Sequence, residues 1–335
     1  MIAAVHFRNF KALRSAAVKL GPFNLFIGPN GSGKTSLIQA LLRLRSLSAL
    51  PVEHAHEMKG QRAGGPQIEF HFQPPFNDVR ATLGCTSDQL VCNQLVVDHA
   101  PGLVGEGQWG ELRTRLQAIR AYLFDHSVMA EPALRTAGTE LSANASNLAA
   151  VLAQRHSGAP AAFALLADEF CRIMPEFAGL EFRPYGPDRV ELFARLAAGA
   201  ELLPAESLSQ GTLYLLAILT LAYAPEPPGV VCLEEADRGV HPRMLREVRD
   251  ALYRLSYPQE SGGRREPVQV IATTHSPYLL DLFREHPEEI VLANKRGNAA
   301  TFERLSERAD ILELMKDTNL GDLWYTGILG GVPGE

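Results

Sequence analysis

The sequence predicts an α/β protein in which a mainly parallel sheet is covered by helices. Phe23–Ile27 is a short apolar run that enters a Gly-Pro turn, and Thr35–Leu47 then repeats apolar residues at helical spacing. Later in the chain, the apolar runs Val230–Leu233 and Val268–Thr273 flank a helical pattern over Arg243–Leu255. Strands that alternate with helices are typical of parallel sheets with both faces covered.

Two further regions depart from this alternation. Residues 67–100 contain short alternating runs separated by turn residues, which predict an antiparallel β subregion. Residues 109–200 repeat alanine and leucine at helical spacing with prolines as breaks, and they predict a helical insert. This insert has no heptads long enough for a coiled coil.

Composition and charge exclude several classes of protein. The chain has 335 residues, is 46% hydrophobic and carries 32 Lys+Arg against 38 Asp+Glu, a net charge of −6. Because the pI is near 6.0, nucleic acid is not held by bulk positive charge, and small clusters such as Lys295–Arg296 are expected to be solvated surface features. The longest apolar stretch, Leu213–Ala224, is too short for a bilayer, so no membrane insertion is expected.

The cysteines and the N-terminus indicate a cytoplasmic protein. No C-x-x-C pair is present, and we expect all four cysteines to be reduced thiols: Cys85, Cys92, Cys171 and Cys232. The first residues turn polar within a few positions and lack the long apolar region of a secretion signal.

A glycine-rich motif supplies the first chemistry. Gly28–Thr35 reads GPNGSGKT, a complete G-x-x-x-x-G-K-[ST] string between a predicted strand and a predicted helix. Backbone N–H groups in such a loop surround phosphate oxygens, while Lys34 reaches the β- and γ-phosphates and the Thr35 hydroxyl ligates Mg²⁺. The predicted nucleotide-binding residues are Asn30, Gly31, Ser32, Gly33, Lys34, Thr35 and Ser36.

A pair of acidic residues supplies the second element. Glu234 and Glu235 follow the buried strand Val230–Leu233, at the strand end where open α/β sheets place their ligands. In a P-loop enzyme the first acid supports the magnesium shell and the second polarises the attacking water. We therefore predict Glu234 as a metal residue and Glu235 as a catalytic one.

Two more motifs indicate a particular kind of P-loop protein. Leu208–Thr212 reads LSQGT and stands directly before an apolar helix, so the Ser209 hydroxyl and nearby amides form a second helix start suited to phosphate. His275 ends the strand Val268–Thr273 and is placed to hydrogen-bond a γ-phosphate if that strand lies beside the P-loop strand.

Taken in order, these motifs resemble the ABC-type ATPases, and within them the RecF-like, SMC-related soluble branch that includes the overcoming-lysogenization-defect ATPases. The matching strings are FRNFKALRS, FIGPNGSGKTSLIQAL, LSQGTLYLLAIL, VVCLEEADRGVHPRM and VIATTHSPYLLD. The resemblance implies one P-loop NTPase head of ABC type over 1–335, with ATP and Mg²⁺ as cofactors. It also implies that Glu235 is the general base, that His275 is the switch histidine and that Lys34 holds the nucleotide.

The resemblance further implies a homodimer that forms on ATP binding. Ser209, Gln210 and Gly211 would act in trans, on nucleotide held by Lys34 of a second subunit. ATP is favoured over GTP because the string Asn294–Gly297 lacks the aspartate that pairs with guanine.

Three positions depart from the family pattern. Glu234 stands where aspartate is usual, Ala236 replaces a proline, and Gln210 replaces the first signature glycine. These departures bear on hydrolysis rate more than on nucleotide binding. The glutamine of the Q-loop stays open between Gln73 and the stretch around Asp125–His126.

Three functions remain open at this point. The first is an ATPase of DNA maintenance, including DNA repair, or of phage defence, which drives or gates a partner. The second is the nucleotide-binding subunit of a membrane transporter, although the 175 residues between Lys34 and Ser209 (209 − 34) exceed what such subunits tend to need. The third is a slow ATP switch that regulates a separately encoded toxin or nuclease. We expect no C-terminal nuclease domain, a separately encoded effector protein, and DNA as a further possible partner.

Overall fold

The computed structural model describes residues 1–50, 53–54, 65–86, 91–99, 106–199 and 201–330. These residues group into two compact units. The first unit comprises Met1–Ala121, Pro228–Cys232 and Pro267–Glu335, and the second comprises Tyr122–Pro227 and Leu233–Glu266. Among the helices of the described ranges, none is long and apolar enough to cross a membrane.

A mixed sheet carries the P-loop strand of the first unit. Its strands, in spatial order, are β16 (Ala299–Arg304), β15 (Ile290–Arg296), β3 (Phe23–Ile27), β14 (Gln269–Thr274), β13 (Val230–Leu233) and β8 (Ile119–Tyr122). β3 pairs in parallel with both β14 and β15, whereas β15 and β16 are antiparallel. Every residue of β3 and β14 is buried, as expected for strands covered on both faces. The predicted α/β fold with a parallel sheet is confirmed.

An antiparallel sheet forms the other layer of the first unit. Its spatial order is β2 (Leu13–Lys19), β1 (Ile2–Phe10), β5 (Gln67–Phe72), β6 (Val79–Cys85), β7 (Cys92–His99) and β4 (Glu53–His54). Neighbouring strands of this sheet pair antiparallel, except that β4 pairs in parallel with β7. Alternate residues of β5 are buried, so one face of the strand packs on the core and the other faces outward.

Helix α1 shares one hydrophobic core with both sheets. The helices of the first unit are α1 (Lys34–Ser48), α2 (Glu106–Gln117), α8 (Pro277–Asp281), α9 (Ile311–Asp317) and α10 (Leu320–Tyr325). Leu37, Leu41 and Leu44 of α1 lie in one buried cluster with Phe7 and Phe26 from the two sheets. This packing fixes the start of α1 next to the end of β3.

The second unit combines helices with a small sheet. Its helices are α3 (His126–Met129), α4 (Leu148–Gly158), α5 (Pro160–Ile173), α6 (Gln210–Ala222) and α7 (Leu245–Ser256). Its strands are β9 (Ala133–Leu134), β10 (Phe177–Tyr185), β11 (Arg189–Leu196) and β12 (Leu202–Pro204), with β10, β11 and β12 adjacent in that order. Every residue from Gly211 to Ala222 is buried, which agrees with an apolar sequence on all sides of α6.

The prediction of a helical insert over 109–200 is wrong for its last part and for β8, which is a strand of the mixed sheet. β10 and β11 form an antiparallel hairpin in which Tyr185 pairs with Arg189. Along β11, Val190, Leu192 and Ala194 are buried and alternate with more exposed residues, which is the period of a strand. The alanine and leucine content of the region hid this alternation, and the Gly186 turn, with a positive φ of 66°, closes the hairpin.

The prediction of reduced cysteines is wrong for one pair. Cys85 and Cys92 form a disulfide, while Cys171 and Cys232 carry thiols. The two bonded residues face each other because β6 and β7 pair antiparallel with Cys85 opposite Cys92. A spacing of seven residues gives no sign of this pairing until the two strands are known to be neighbours.

Candidate nucleotide-binding site

The P-loop connects the end of β3 to the start of α1. Gly31 and Gly33 adopt positive φ angles of 75° and 95°, a backbone conformation that residues with a Cβ rarely adopt. A Cβ at Gly28 would lie 2.2 Å from the carbonyl oxygen of Ala293, so the neighbouring strand excludes any side chain at that position. The glycines of the motif are therefore required by the backbone path and by close packing.

Lys34 is folded into its own loop. Its side chain is buried, and Nζ donates hydrogen bonds to the carbonyl oxygens of Gly28, at 2.7 Å, and Pro29, at 3.0 Å. Gly33 is the N-cap of α1 and offers no side chain to that helix start, and the first turn contains no acidic residue. A helix start of this kind, with an ammonium group held beside it, is suited to an anion.

A buried hydroxyl group in the loop also fits the binding of a triphosphate. The Ser32 hydroxyl oxygen is buried and has no hydrogen-bond partner among the described residues. Asn30, Gly31 and Thr35 are exposed around it, while Ser36 is partly buried in the first turn of α1. The residues present can hold phosphate oxygens, and the Thr35 hydroxyl in the first helical turn can ligate Mg²⁺.

His275 lies at the same edge of the sheet as the P-loop. β14 runs parallel to β3 with Thr274 opposite Ile27, so His275 and Gly28 leave adjacent strands at the same level. His275 is exposed. Ser276 begins α8, where its hydroxyl accepts a hydrogen bond from the Leu279 amide at 3.2 Å. His275 therefore follows a strand that lies beside the P-loop strand, which is the arrangement required for contact with a γ-phosphate.

Sequence reasoning missed Lys295. Its ammonium nitrogen lies 3.4 Å from the position that a Cβ of Gly31 would occupy, so this lysine borders the phosphate loop. It reaches there because β15 lies on the other side of β3, in parallel register. Lys295 is exposed, as expected for a solvated surface cluster, but no local motif signals its position beside the phosphate loop.

The acid pair lies at the end of β13 and is described within the second unit. The Glu234 amide donates to the carbonyl oxygen of Tyr122 at 2.9 Å. Glu235 adopts a φ of 53°, in the left-handed region, and its side chain is exposed. Its carboxylate lies 3.6 Å from Nε of Arg238. A non-glycine residue held in this region stores backbone strain of about 1 kcal/mol, which is typical of functional positions.

The LSQGT motif starts α6 with a serine cap. The exposed Ser209 hydroxyl accepts a hydrogen bond from the Thr212 amide at 3.1 Å and lies 2.7 Å from the Thr212 hydroxyl. The cap holds the hydroxyl at the first turn of the helix. Ser209 is therefore positioned at a helix start on the surface of the second unit.

Gln210 and Gly211 pack against the loop that follows the acid pair. A Cβ at Gly239, where φ is 68°, would lie 2.4 Å from Cδ of Gln210. A Cβ at Gly211 would lie 2.8 Å from the Gly239 carbonyl oxygen. The glutamine that replaces the usual signature glycine thus lies directly over Gly239, and this contact was not predictable from the motif alone.

Tyr214 connects helix α6 to the residues around Asp125. Its hydroxyl donates to the carbonyl oxygen of Phe124 and interacts with the side chain of Gln210. Burial raises the pKa of Tyr214 above its usual value. The Ser127 hydroxyl and amide donate to the Asp125 carboxylate and lower the pKa of Asp125, with a smaller contribution from Arg238.

The structure separates the two Q-loop candidates. Asp125, at the start of α3, is in the second unit with Arg238 and Tyr214. Gln73 is in the first unit, where its amide donates to the carbonyl oxygen of Met1 at 2.9 Å. Both assignments stay predictions. The chain as a whole places the P-loop and His275 in the first unit, and Ser209–Gly211 with Glu234 and Glu235 in the second.

Two segments of the chain match protein-family models. Residues 1–83 match a family described as "AAA ATPase domain", and residues 130–281 match one described as "AAA domain, putative AbiEii toxin, Type IV TA system". No curated protein matches the sequence.

Solved structures of SMC heads share the fold. One is the SMC head bound to the C-winged helix domain of ScpA, with a TM-score of 0.58, 15% identity, and coverage of 90% of this chain and 96% of that chain. Another is the SMC head with an extended coiled coil, bound to the C-terminal domain of ScpA and derived from Pyrococcus furiosus, with a TM-score of 0.55, 13% identity, and coverage of 94% and 99%. At these identities the likeness concerns the fold alone. The chain is thus similar to AAA-type ATPase domains over two segments, and its fold is similar to that of SMC heads.

Proposed function

We propose that this protein binds ATP with Mg²⁺ and hydrolyses it to ADP and phosphate. The observation that carries the proposal is the P-loop itself, in which Lys34 is buried against the Gly28 and Pro29 carbonyl oxygens beside an uncapped helix start. A lysine in this place exchanges its two carbonyl contacts for phosphate oxygens at little conformational cost, because its side chain is already ordered.

Each site residue has a defined part in this proposal. Lys34 and the amides of the P-loop hold the β- and γ-phosphates, and His275 donates a hydrogen bond to the γ-phosphate. Thr35 and Glu234 hold Mg²⁺, which neutralises charge on the phosphates when it is bound. Glu235 orients and deprotonates the attacking water, a role that suits an exposed carboxylate on a strained backbone.

Substitution of Glu235 tests the catalytic step. Glu235→Gln keeps the size of the side chain and removes the base, so we expect turnover to fall by about 100-fold or more while ATP affinity stays near that of the wild type. Glu260→Gln, an exposed glutamate of the second unit, is the matched control and should keep full activity. Equal steady-state ATP hydrolysis by Glu235→Gln and wild-type protein would remove Glu235 from the base role.

We further propose that two copies of the chain enclose two ATP molecules. Ser209 supports this arrangement because its hydroxyl is exposed and fixed at the start of a 13-residue helix. In the proposed dimer, Ser209, Gln210 and Gly211 of one copy contact the nucleotide held by Lys34 of the other. Helix α6 is buried along its length, so it presents only its N-terminal end to a partner.

Mixing two inactive variants tests whether the site is shared. Lys34→Ala and Ser209→Arg should each be inactive alone. A mixed dimer contains one intact composite site, so an equimolar mixture should recover roughly one quarter of the wild-type rate, since half of randomly paired dimers carry one good site of two. Ser157→Arg, an exposed position at the end of α4, is the control and should stay active alone. A mixture with no recovered activity would contradict sharing in trans.

We propose that the ATPase cycle gates a separately encoded effector protein, in phage defence or DNA maintenance. The match of residues 130–281 to a family described through a toxin system supports the defence role. The SMC heads of similar fold are bound to ScpA domains, which supports an effector that docks on the head. A regulator of a toxin or nuclease with slow turnover is a form of the same proposal, and a role as transporter subunit is the alternative.

Capture with the ATP-locked Glu235→Gln variant separates these roles. A toxin or nuclease that is retained only with ATP would support the gating role, and a membrane protein would support the transporter role. Retention of duplex DNA that weakens steeply with salt would identify DNA as a direct partner.

A further inference from the structure

Three metal-ligating side chains meet on the antiparallel sheet of the first unit. β1 and β5 pair so that His6 lies directly opposite Glu69. His71 is two residues beyond Glu69 on the same strand, so its side chain emerges on the same face. The flanking residues Ile68 and Phe70 are buried on the opposite face. The strand register therefore brings together residues separated by more than sixty positions.

The three side chains are close enough to share one ion. One ligand atom from each of His6, Glu69 and His71 lies within 4.8 Å of the other two. The two imidazole ring centres are 4.7 Å apart. A tetrahedral ion with bonds of about 2.1 Å holds its ligand atoms about 3.4 Å apart. Changes of about 1.4 Å or less in the distances between these ligand atoms would therefore complete the site.

His71 and Glu69 already form a close pair within this cluster. Nε2 of His71 is buried and lies 2.6 Å from Oε1 of Glu69. A proton on Nε2 accounts for a contact this short, so a metal ion would displace that proton and move the two ligand atoms apart to about 3.4 Å. A metal ion in place of that proton would take one ligand atom from each of these two side chains and a third from the exposed His6.

We propose that His6, Glu69 and His71 form a binding site for a divalent transition metal ion of the Zn²⁺ type. Two imidazoles and one carboxylate are a donor set that such ions prefer, and exposed His6 leaves a remaining coordination position to water. The ion joins β1 to β5 and stabilises the first unit by linkage to folding. The site is separate from the proposed nucleotide site and does not depend on it.

Arg80 is a built-in competitor of the metal ion. Its Nε lies 3.3 Å from Oε1 of Glu69, and it stands opposite His71 on β6. Arg8 adds a second positive charge near His6. Because a guanidinium group both occupies the carboxylate and repels a dication, Arg80→Gln should bind metal more tightly than the wild type. This outcome is opposite to that of ligand removal, and a purely structural ion pair would not produce it.

Metal titration of the untagged full-length chain tests the proposal. Zn²⁺ is added in competition with a chromophoric chelator, and Co²⁺ is used in parallel because its absorption spectrum distinguishes nitrogen and oxygen ligands from thiolates. We expect one ion per chain, with binding weakened at least about tenfold by His6→Ala or His71→Ala, the size seen even for outer-shell partners. His286→Ala is the matched control, because His286 contacts Glu288 at 3.2 Å in a His–Glu pair like that of His71 and Glu69.

The outcomes separate this site from other sources of metal binding. A Co²⁺ spectrum with thiolate bands, binding unchanged in both histidine variants, or the absence of saturable one-to-one binding by the wild type would each overturn the proposal. Circular dichroism and ATP binding check that the variants fold. A rise in unfolding temperature on adding Zn²⁺ to wild-type protein, but not to His6→Ala, would support it independently.

Discussion

The contact between Gln210 and Gly239 yields a quantitative prediction for Gly239→Ala. The new Cβ would lie 2.4 Å from Cδ and 2.6 Å from Cγ of Gln210, so the glutamine must leave its position. Gly239 also has a φ of 68°, which alanine adopts only with strain. Gly239→Ala therefore has two free-energy costs, the backbone strain at residue 239 and the displacement of Gln210, and the two can be measured separately.

The structure sets the size of each contribution. Alanine at a left-handed position costs about 1.5 kcal/mol. Displacement of Gln210 costs about 2 kcal/mol more, from an unfavourable rotamer and from its lost interaction with Tyr214. Gln210→Ala alone should cost about 1 kcal/mol. The double variant retains only the backbone strain and the loss of the glutamine, so it should cost about 2.5 kcal/mol, about 2 less than the sum of the single changes.

Urea unfolding followed by far-UV circular dichroism measures this cycle. Gly262→Ala is the matched control, because Gly262 has a φ of 73° and a Cβ there would meet no atom within 4 Å. It should show the backbone term alone. Additive free energies of unfolding for Gly239→Ala and Gln210→Ala would refute the reasoning, since they would mean that the two side chains do not meet.

Three further changes follow from the same kind of observation. Gly28→Ala places a Cβ 2.2 Å from the Ala293 carbonyl oxygen. We therefore expect loss of fluorescent-ATP binding and a free energy of unfolding about 3 kcal/mol lower. Normal ATP binding would contradict the tight packing. Burial lowers the pKa of Arg155 to about 10, which corresponds to a cost of about 3 kcal/mol for the charged form. The hydrogen bond from Arg155 to the Thr220 carbonyl oxygen only partly offsets this cost. Arg155→Met should therefore leave the free energy of unfolding in urea equal or higher, and a large loss would refute this. Partial desolvation, followed by the neighbouring imidazole of His71, lowers the pKa of His6 below its ordinary 6.5. The unfolded chain therefore gains the proton first, metal-free protein loses stability as pH falls through 6.5, and His6→Gln should reduce that loss.

Local sequence determined the phosphate loop, the fold class and the cap of α6. A P-loop is a continuous segment in which glycine φ angles, one lysine and a helix start are fixed by neighbours within a few residues. The same holds for Ser209, whose hydroxyl bonds the amide three residues ahead. Buried strands such as β3 and β14 could be found because their whole length is apolar.

Contacts between distant segments followed from tertiary structure alone. Lys295 reaches the phosphate loop because β15 lies beside β3, and Cys85 meets Cys92 because β6 pairs with β7. The His6, Glu69 and His71 cluster depends in the same way on the register of β1 with β5. Strand order and register are set by the burial of whole faces across the chain, and a residue's own neighbours in sequence carry no information about them. Local sequence therefore determined the chemistry of each motif, and the tertiary fold determined which other residues lie next to it.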